Sequence, residues 1–217
     1  MKKFLIFVEG EGDQKFFQDY YHHLFQQNAP EKSIIHPGKT DDTGGYKKLE
    51  KEDTLRIMQQ NSDAYGVNLV IFDADEDIEA RRKEIEDIRE RHNVEFELFL
   101  LPNNKEVGAL EDMLERIINP NNQPVMDCWQ TYEDELKKVR IPTKTPPELT
   151  IPAKKTKIYA YLETLLGKTK SQKKQIKDPN RNYKNPAHWN LDDEYLEPLK
   201  EFLVQHLVED NERSEAI

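Results

Sequence analysis

The fold of this chain is decided by the stretch VNLVIFDADED, residues 67–77. An apolar run rich in β-branched residues stops abruptly at Asp73 and Asp75 and then gives way to a helical pattern. Such a run is typical of a strand that is buried on both faces of a parallel sheet. In sheets of this kind the carboxyl ends of the strands line the ligand crevice. The stretch therefore predicts a parallel strand that delivers two carboxylates to a cleft.

A second stretch of the same design, FLIFVEGEGD, occupies residues 4–13. Its apolar run stops at Glu9, and a glycine-bearing turn then leads into a helical pattern. Because both strands should end at the same edge of one sheet, we expect Glu9, Asp73 and Asp75 to face one cleft. Crowded carboxylates repel unless a cation joins them, and hard oxygen ligands suit Mg²⁺ or Mn²⁺. The two stretches together predict a divalent-metal site.

Predicted strands and helices alternate over residues 1–120. The strands are expected at 3–9, 33–36, 67–72 and 94–101. The helices are expected at 13–27, 46–60, 78–92 and 106–118. Asp13 is the expected N-cap of the first helix. This alternation implies a parallel sheet of about four strands with right-handed crossovers, which is an α/β fold.

The pattern changes after residue 120. Further helices are expected at 126–139, 154–166 and 193–208, with a proline-rich connector at 141–152. We therefore predict two parts, an α/β core at 1–120 and a helical extension at 121–217. The extension is expected to pack on the core rather than to fold independently.

Composition limits the class of protein. Of 217 residues, 36% are hydrophobic and 34% are charged, which is enough for one core beneath a strongly charged surface. No apolar run approaches the roughly 18 residues of a membrane span, so no membrane partner is expected. The one cysteine, Cys128, cannot form an intramolecular disulfide and fits a reducing cytoplasm.

Charge is distributed unevenly along the chain. The formal net charge of −10 argues against a protein that coats nucleic acid non-specifically. Residues 154–184 nevertheless carry ten basic residues against two acidic ones, Glu163 and Asp178. Basic blocks of this kind can meet phosphates, but an exposed lysine-rich loop explains the block equally well. The sequence leaves both interpretations open.

The carboxylate positions carry a resemblance to a known domain. A Val-Glu-Gly turn after the first strand, with Asp-Ala-Asp after a later strand, resembles the Toprim domain of topoisomerases, bacterial primases and overcoming-lysogenization-defect (OLD) nucleases. The signature of that domain, a lone Glu and an Asp-x-Asp pair, matches Glu9, Asp73 and Asp75. The pair Gly44-Gly45 stands where many Toprim sequences have glycines.

A narrower resemblance is to an uncharacterised bacterial Toprim-like family, the DUF3226 group. It rests on FVEG at residues 7–10, FDAD at 72–75, LPNN at 101–104 and GALED at 108–112. The resemblance covers roughly residues 3–118 and implies a Toprim, Rossmann-like sheet. Such a family label supplies a fold and a site but no established reaction.

The Toprim resemblance implies phosphoryl transfer at a phosphodiester. Asp73 and Asp75 would share a divalent ion from one side of an extended segment, and Glu9 would be the general acid/base or a further metal ligand. By analogy with OLD nucleases, Glu111 and Asp112 are candidates for a second metal. A solvated acidic pair that favours the dipole of the following helix explains these two residues equally well.

The expected function is Mg²⁺-dependent cleavage of nucleic acid by a small nuclease-like protein. Lys154 and Lys157 are the lysines expected to contact phosphate, with an ordinary surface position as the alternative. The rival function is a non-catalytic module that binds a metal, a nucleotide or a partner protein on the same scaffold. The sequence leaves open the choice between DNA and RNA, the oligomeric state and whether turnover occurs.

Overall fold

The computed structural model of the chain describes residues 1–37 and 45–209. A sheet of four parallel strands lies at its centre, in the order β2-β1-β3-β4. The strands are β1 (Phe4–Val8), β2 (Ile34–Ile35), β3 (Val67–Asp73) and β4 (Glu97–Leu101). The described α-helices are α1 (Glu11–Phe25), α2 (Glu52–Asp63), α3 (Ile78–His92), α4 (Leu110–Arg116), α5 (Gln123–Lys138), α6 (Lys154–Leu166), α7 (Lys170–Ile176) and α8 (Glu197–Leu207). The predicted α/β class, with helices after the last strand, is confirmed.

Helices cover both faces of the sheet. Alternate side chains of a strand point to opposite faces. On one face, Ile6 of β1 belongs to a buried cluster with Phe16 of α1. On the other face, Phe7 of β1 belongs to a buried cluster with Met58 of α2 and Ile85 of α3. No helix within the described residues is long and apolar enough to cross a membrane.

The strand order places two acidic strand ends side by side. β1 and β3 are neighbours in register, with Val8 opposite Ile71. Glu9 directly follows β1 and Asp73 ends β3, so their side chains start from adjacent strand ends. The chain leaves β1 for β2 on one side and then returns to β3 on the other. This reversal is the topological switch point at which open α/β sheets bind ligands.

The turn from β1 into α1 differs from the prediction. The N-cap of α1 is Gly10, whose backbone is extended, and the helix begins at Glu11. The predicted N-cap, Asp13, is instead the third helical residue, where its carboxylate accepts a hydrogen bond from the Gly10 N–H at 3.0 Å. The prediction of its position is wrong because a carboxylate in the first turn can satisfy a free helical N–H without being the cap.

Two further boundaries lie later in the chain than predicted. β4 begins at Glu97 rather than at residue 94, although Val94 is buried against the sheet. α4 begins at Leu110 rather than at residue 106, because the preceding loop is tied to the end of β3. Gly108 in that loop forms an antiparallel bridge with Asp75.

The C-terminal extension packs on the α1 face of the sheet. Leu199, Leu203 and Leu207 of α8 belong to the same buried cluster as Phe16. The Leu207 carbonyl also accepts a hydrogen bond from the Lys2 N–H at 2.9 Å, beside the start of β1. The extension and the sheet therefore share one apolar core, while the predicted division at residue 120 stays a prediction.

Asp19 of α1 anchors the segment that follows α7. Its side chain is almost fully buried, and its Oδ2 accepts a hydrogen bond from the Tyr183 N–H at 2.9 Å. Its Oδ1 accepts from Lys15 Nζ at 2.6 Å. The Tyr183 ring meets the Phe16 ring edge-on, with centroids 5.3 Å apart. These contacts fix Arg181, two residues before Tyr183, against α1.

Replacing Asp19 with alanine should lower the free energy of unfolding by about 2 kcal/mol, because the buried Tyr183 N–H would lose its acceptor. Urea denaturation of the full chain measures this loss. Asp19→Asn keeps an oxygen acceptor and should lose less. A loss below about 0.5 kcal/mol for Asp19→Ala, the size of an ordinary surface effect, would contradict the anchoring role.

Candidate functional site

Carboxylates from four structural elements line one cavity at the carboxyl edge of the sheet. The cavity has a volume of about 350 Å³, and we call it the acidic pocket. Glu9 follows β1, Asp13 lies in the first turn of α1, Asp73 ends β3, and Glu111 lies in the first turn of α4. We call these four residues the carboxylate quartet. The pocket is therefore assembled by the strand order and by the helices that follow the strands.

Backbone groups hold three members of the quartet in place. The Leu110 N–H donates to Asp73 Oδ1 at 3.0 Å, which joins β3 to the start of α4. The Gly10 N–H donates to Asp13 in the same manner at the start of α1. The backbone of Asp73 in turn hydrogen-bonds the Glu9 carboxylate. Backbone donors thus hold these acids in their arrangement in the metal-free protein.

Gly45 brings loop backbone close to Glu9. A Cβ atom at Gly45 would lie 3.5 Å from Oε1 of Glu9, and the φ angle of +65° is in the left-handed region that favours glycine. Glycine is therefore favoured beside the carboxylate on conformational grounds. Gly44, its companion in the sequence pattern, lies outside the described residues.

Burial and mutual repulsion raise the pKa of three members of the quartet. Burial raises the pKa of Asp73 well above its ordinary value, and the charges of Asp13, Glu9 and Glu111 raise it further. Burial and the charge of Glu9 raise the pKa of Asp13 from 3.8 to about 7. Burial, followed by the charge of Asp75, raises the pKa of Glu9. The pocket therefore retains protons toward neutral pH, and a bound cation would displace them.

Basic side chains also line the pocket. Lys48 Nζ donates to the Glu9 carbonyl at 3.2 Å, and its positive charge lowers the pKa of Glu9. Lys155 of α6 and Arg181 reach the pocket from the C-terminal extension. Both form ion pairs with Asp178, and the Arg181 pair is 2.9 Å long. The extension thus adds positive charge to an acidic site built mainly by the sheet.

Asp75 lies beside the acidic pocket and outside its lining. Its φ angle is +53°, so the prediction of an extended segment from Asp73 to Asp75 is wrong at Asp75. The physical reason is that Asp75 exchanges two backbone hydrogen bonds, of 2.8 and 2.9 Å, with Gly108. Its carboxylate pairs with Arg81, whose guanidinium lies 4.5 Å from the centre of the Tyr46 ring. The role of Asp75 as a metal ligand stays a prediction.

Three other predicted residues also lie outside the lining of the acidic pocket. Asp112 accepts a hydrogen bond from the Ala109 N–H at 2.8 Å and forms an ion pair with Lys154. Lys157 is buried and pairs with Glu115 at 3.0 Å. Asp112 and Lys157 line a separate cavity of about 720 Å³. Their roles in metal and phosphate binding stay predictions.

Sequence reasoning missed Asp13, Lys48, Lys155 and Arg181 as site residues. A signal for Asp13 was present, because it follows Glu9 by four residues and α-helical side chains tilt toward the N-terminus of their helix. Lys155 and Arg181 lie in the basic segment 154–184, but nothing in the sequence singled them out within it. Lys48 is 39 residues from Glu9 along the chain, and Lys155 stands among other lysines that point elsewhere.

The carboxylate quartet has the donor chemistry of a hard-cation site. Carboxylate oxygens are the ligands that Mg²⁺ and Mn²⁺ prefer, and the raised pKa values reflect a repulsion that a cation would offset. Within residues 1–37 and 45–209, however, no three acidic, histidine or cysteine side chains form a group that could hold a metal ion as they stand. Metal binding would therefore require rotation of these side chains about fixed backbone positions.

Family membership follows from a match over almost the whole chain. The model of a family described as a protein of unknown function, DUF3226, matches residues 3–208. The chain belongs to the DUF3226 family. The match spans both the sheet and the extension, so the residues that line the acidic pocket of this DUF3226 protein all lie within it. No curated protein and no solved structure matches the chain.

The raised pKa of Asp13 predicts that the metal-free protein loses stability as the pH rises from about 4 to about 7. In that range the unfolded state releases a proton from Asp13 that the folded state retains, because the folded pKa is about 7 and the ordinary value is 3.8. Glu9 and Asp73 act in the same direction. Asp13→Asn removes the ionisation and should raise the free energy of unfolding at pH 8 by more than about 1 kcal/mol.

Urea denaturation in EDTA at several pH values measures both effects. Asp53→Asn is the matched control, because Asp53 is an exposed aspartate outside the lining of the pocket and carries the same charge. Equal pH profiles for wild type and Asp13→Asn would show that Asp13 does not hold a proton in the folded state.

Proposed function

We propose that this DUF3226 protein cleaves phosphodiester bonds of nucleic acid with Mg²⁺ or Mn²⁺ bound in the acidic pocket. The observation that carries the proposal is the gathering of the carboxylate quartet at the ends of β1 and β3, with raised pKa values for Glu9, Asp13 and Asp73. Strongly perturbed acids in a cleft are candidates for a functional site. The Toprim resemblance of Glu9 and Asp73 supports the same function. We propose the cytoplasm as its compartment, where Cys128 stays reduced.

The quartet would hold the cation. Glu9, Asp13, Asp73 and Glu111 supply oxygen ligands from four elements, and Asp75 is a further ligand in the adjacent loop. When bound, the ion would stabilise negative charge on the scissile phosphate and lower the pKa of a water molecule.

The Toprim resemblance assigns proton transfer to Glu9, and the pKa of Glu9 is shifted in the direction that this role needs. Burial and the charge of Asp75 raise its pKa, while Lys48 and Arg81 oppose that rise. Glu9 therefore titrates closer to neutral pH than a free glutamate does. A general base is most effective when its pKa lies near the working pH.

Lys155 is better placed to contact a substrate phosphate than the two lysines predicted for that role. It lines the acidic pocket, whereas Lys154 pairs with Asp112 and Lys157 pairs with Glu115. The three lysines lie within one turn of α6, so the rotation of that helix decides which of them faces the pocket. We assign the phosphate contact to Lys155.

A second candidate function is a non-catalytic module that binds a metal, a nucleotide or a partner protein. The specific observation in its favour is the ion pair between Asp75 and Arg81, which engages a carboxylate that a Toprim-type metal site would use. The net charge of −10 favours it as well, because an acidic protein repels long nucleic acids.

Incubation of labelled single- and double-stranded DNA and RNA with Mg²⁺ or Mn²⁺ tests the proposed function. We expect cleavage that EDTA abolishes. Asp73→Asn should reduce it by at least about 100-fold, because stabilisation of the phosphate charge by the metal is worth several kcal/mol. Asp53→Asn makes the same charge change on an exposed residue outside the pocket and should leave the rate unchanged.

Calorimetric titration with Mn²⁺ separates the two candidate functions. Metal binding that Asp73→Asn abolishes, without cleavage of any of the four substrates, would contradict the nuclease and favour the module. Cleavage that persists in Asp73→Asn would show that the activity does not come from the acidic pocket.

A further inference from the structure

The basic segment forms a helix with an outward-facing row of lysines. Lys170, Lys173 and Lys174 of α7 and Lys177 just after it are all exposed. Their spacing of three, four and seven residues puts them on one side of a helix. We call these four residues the α7 lysine face. The predicted lysine-rich loop is therefore a short helix in this part of the segment, while contact with phosphate stays a prediction.

Contacts at both ends of α7 fix the orientation of the lysine face. Ile176 is 4% exposed and belongs to the main buried cluster. The Arg181 guanidinium donates to the Ile176 carbonyl at 3.1 Å. At the other end, Thr169 and Gln172 cap the helix through reciprocal hydrogen bonds of 3.0 and 3.2 Å. These contacts fix α7 on the body of the protein, and the four lysines remain exposed to solvent.

The lysine face is largely unneutralised. Lys173 pairs with Glu163 at 3.0 Å. The other acidic residue of the basic segment, Asp178, is engaged by Lys155 and Arg181. Lys170, Lys174 and Lys177 form no ion pair within the part of the chain that the structure describes. A strongly acidic protein thus keeps one patch of uncompensated positive charge.

The patch adjoins the acidic pocket. Lys177 is followed directly by Asp178, which lines the pocket and contacts the first turn of α1. A Cβ atom added to Gly12 of α1 would lie 3.6 Å from the Asp178 side chain. Arg181, three residues further on, lines the pocket as well. The end of the lysine face is therefore one residue away from the wall of the proposed reaction site.

We propose that the α7 lysine face binds the sugar–phosphate backbone of a nucleic-acid strand that enters the acidic pocket. This inference rests on the proposed function, since it supplies the substrate surface for the same site. A chain with a net charge of −10 repels a polyanion, and a local row of lysines overcomes that repulsion where the strand must dock. Four lysines along about 10 Å of helix match a few consecutive phosphates.

A nucleic-acid strand fits this surface better than an anionic membrane does. Helices that lie on membranes combine basic residues with an exposed apolar face that enters the lipid. The one apolar residue of α7 is Ile176, which is buried against the body of the protein. The face of α7 that is open to solvent is wholly polar, as phosphate-backbone binding requires.

Fluorescence anisotropy with labelled single-stranded DNA and RNA in EDTA tests the inference on the full chain. The test variant replaces the α7 lysine face with glutamine at all four positions. The matched control replaces four exposed lysines outside the basic segment, Lys83, Lys105, Lys137 and Lys138. Both variants change the net charge equally, so any difference between them reports the position of the charge. Circular dichroism and a thermal melt check that each variant is folded.

Wild type should bind the strand with affinity that falls steeply with salt. The test variant should bind at least about tenfold more weakly at low salt. Its slope of log affinity against log salt should be shallower by about 3, since each phosphate contact on a single strand contributes about 0.7. The control variant should stay within about twofold of wild type.

Three results would overturn the inference. Equal weakening in the test and control variants would mean that net charge, and not the lysine face, governs binding. If the wild type bound neither labelled oligonucleotide, the α7 lysine face would not be a nucleic-acid surface. Binding of the wild type to phosphatidylserine vesicles but to neither oligonucleotide would assign the face to a membrane. The anisotropy assay needs neither metal nor cleavage. Its result can therefore be interpreted even if the proposed nuclease activity is not found.

Discussion

The burial of like charges where β1 and β3 end is the constraint on which the rest of the structure depends. The strand order brings Glu9 and Asp73 to adjacent ends, and the first turns of α1 and α4 add Asp13 and Glu111. Backbone N–H groups donate to Asp13 and Asp73 and hold these acids near the other carboxylates despite their mutual repulsion. Protons or a cation must relieve the repulsion, because ionised acids of one sign are unfavourable in a partly buried cavity. The pocket is therefore suited to binding positive charge.

The C-terminal extension supplies the complementary positive charge. Asp19 anchors the segment after α7 to α1, which carries Arg181 to the pocket beside Lys155 of α6. The same segment begins with Lys177, the last residue of the α7 lysine face. A phosphate that approached a cation bound in the pocket would meet carboxylates contributed mainly by the sheet and basic groups contributed by the extension. This division of charge gives a physical reason for the basic helical segment in an otherwise acidic protein. The segment places positive charge beside the acidic edge of the sheet.

The sequence could predict the parts of the site that depend on one strand at a time. Buried parallel strands are continuous apolar runs in the sequence. The change from apolar residues to a carboxylate at Glu9 and at Asp73 therefore predicts where the two strands end. Asp75 could not be placed, because its left-handed backbone depends on pairing with Gly108, whose loop follows a different strand. The choice of Lys155 over its neighbours depends on how α6 is rotated against the core, which the spacing of lysines does not encode. Element boundaries shifted for the same reason, since tertiary contacts set them.

Calorimetric titration of Mn²⁺ at pH 7, repeated in buffers of different ionisation enthalpy, tests the central claim most directly. If a cation joins the quartet, binding at pH 7 should release protons, because burial and the charge of Glu9 raise the pKa of Asp13 to about 7. Asp13→Asn should bind with less proton release. An absence of binding heat in every buffer, or binding with no proton release, would contradict the account of the acidic pocket as a cation site.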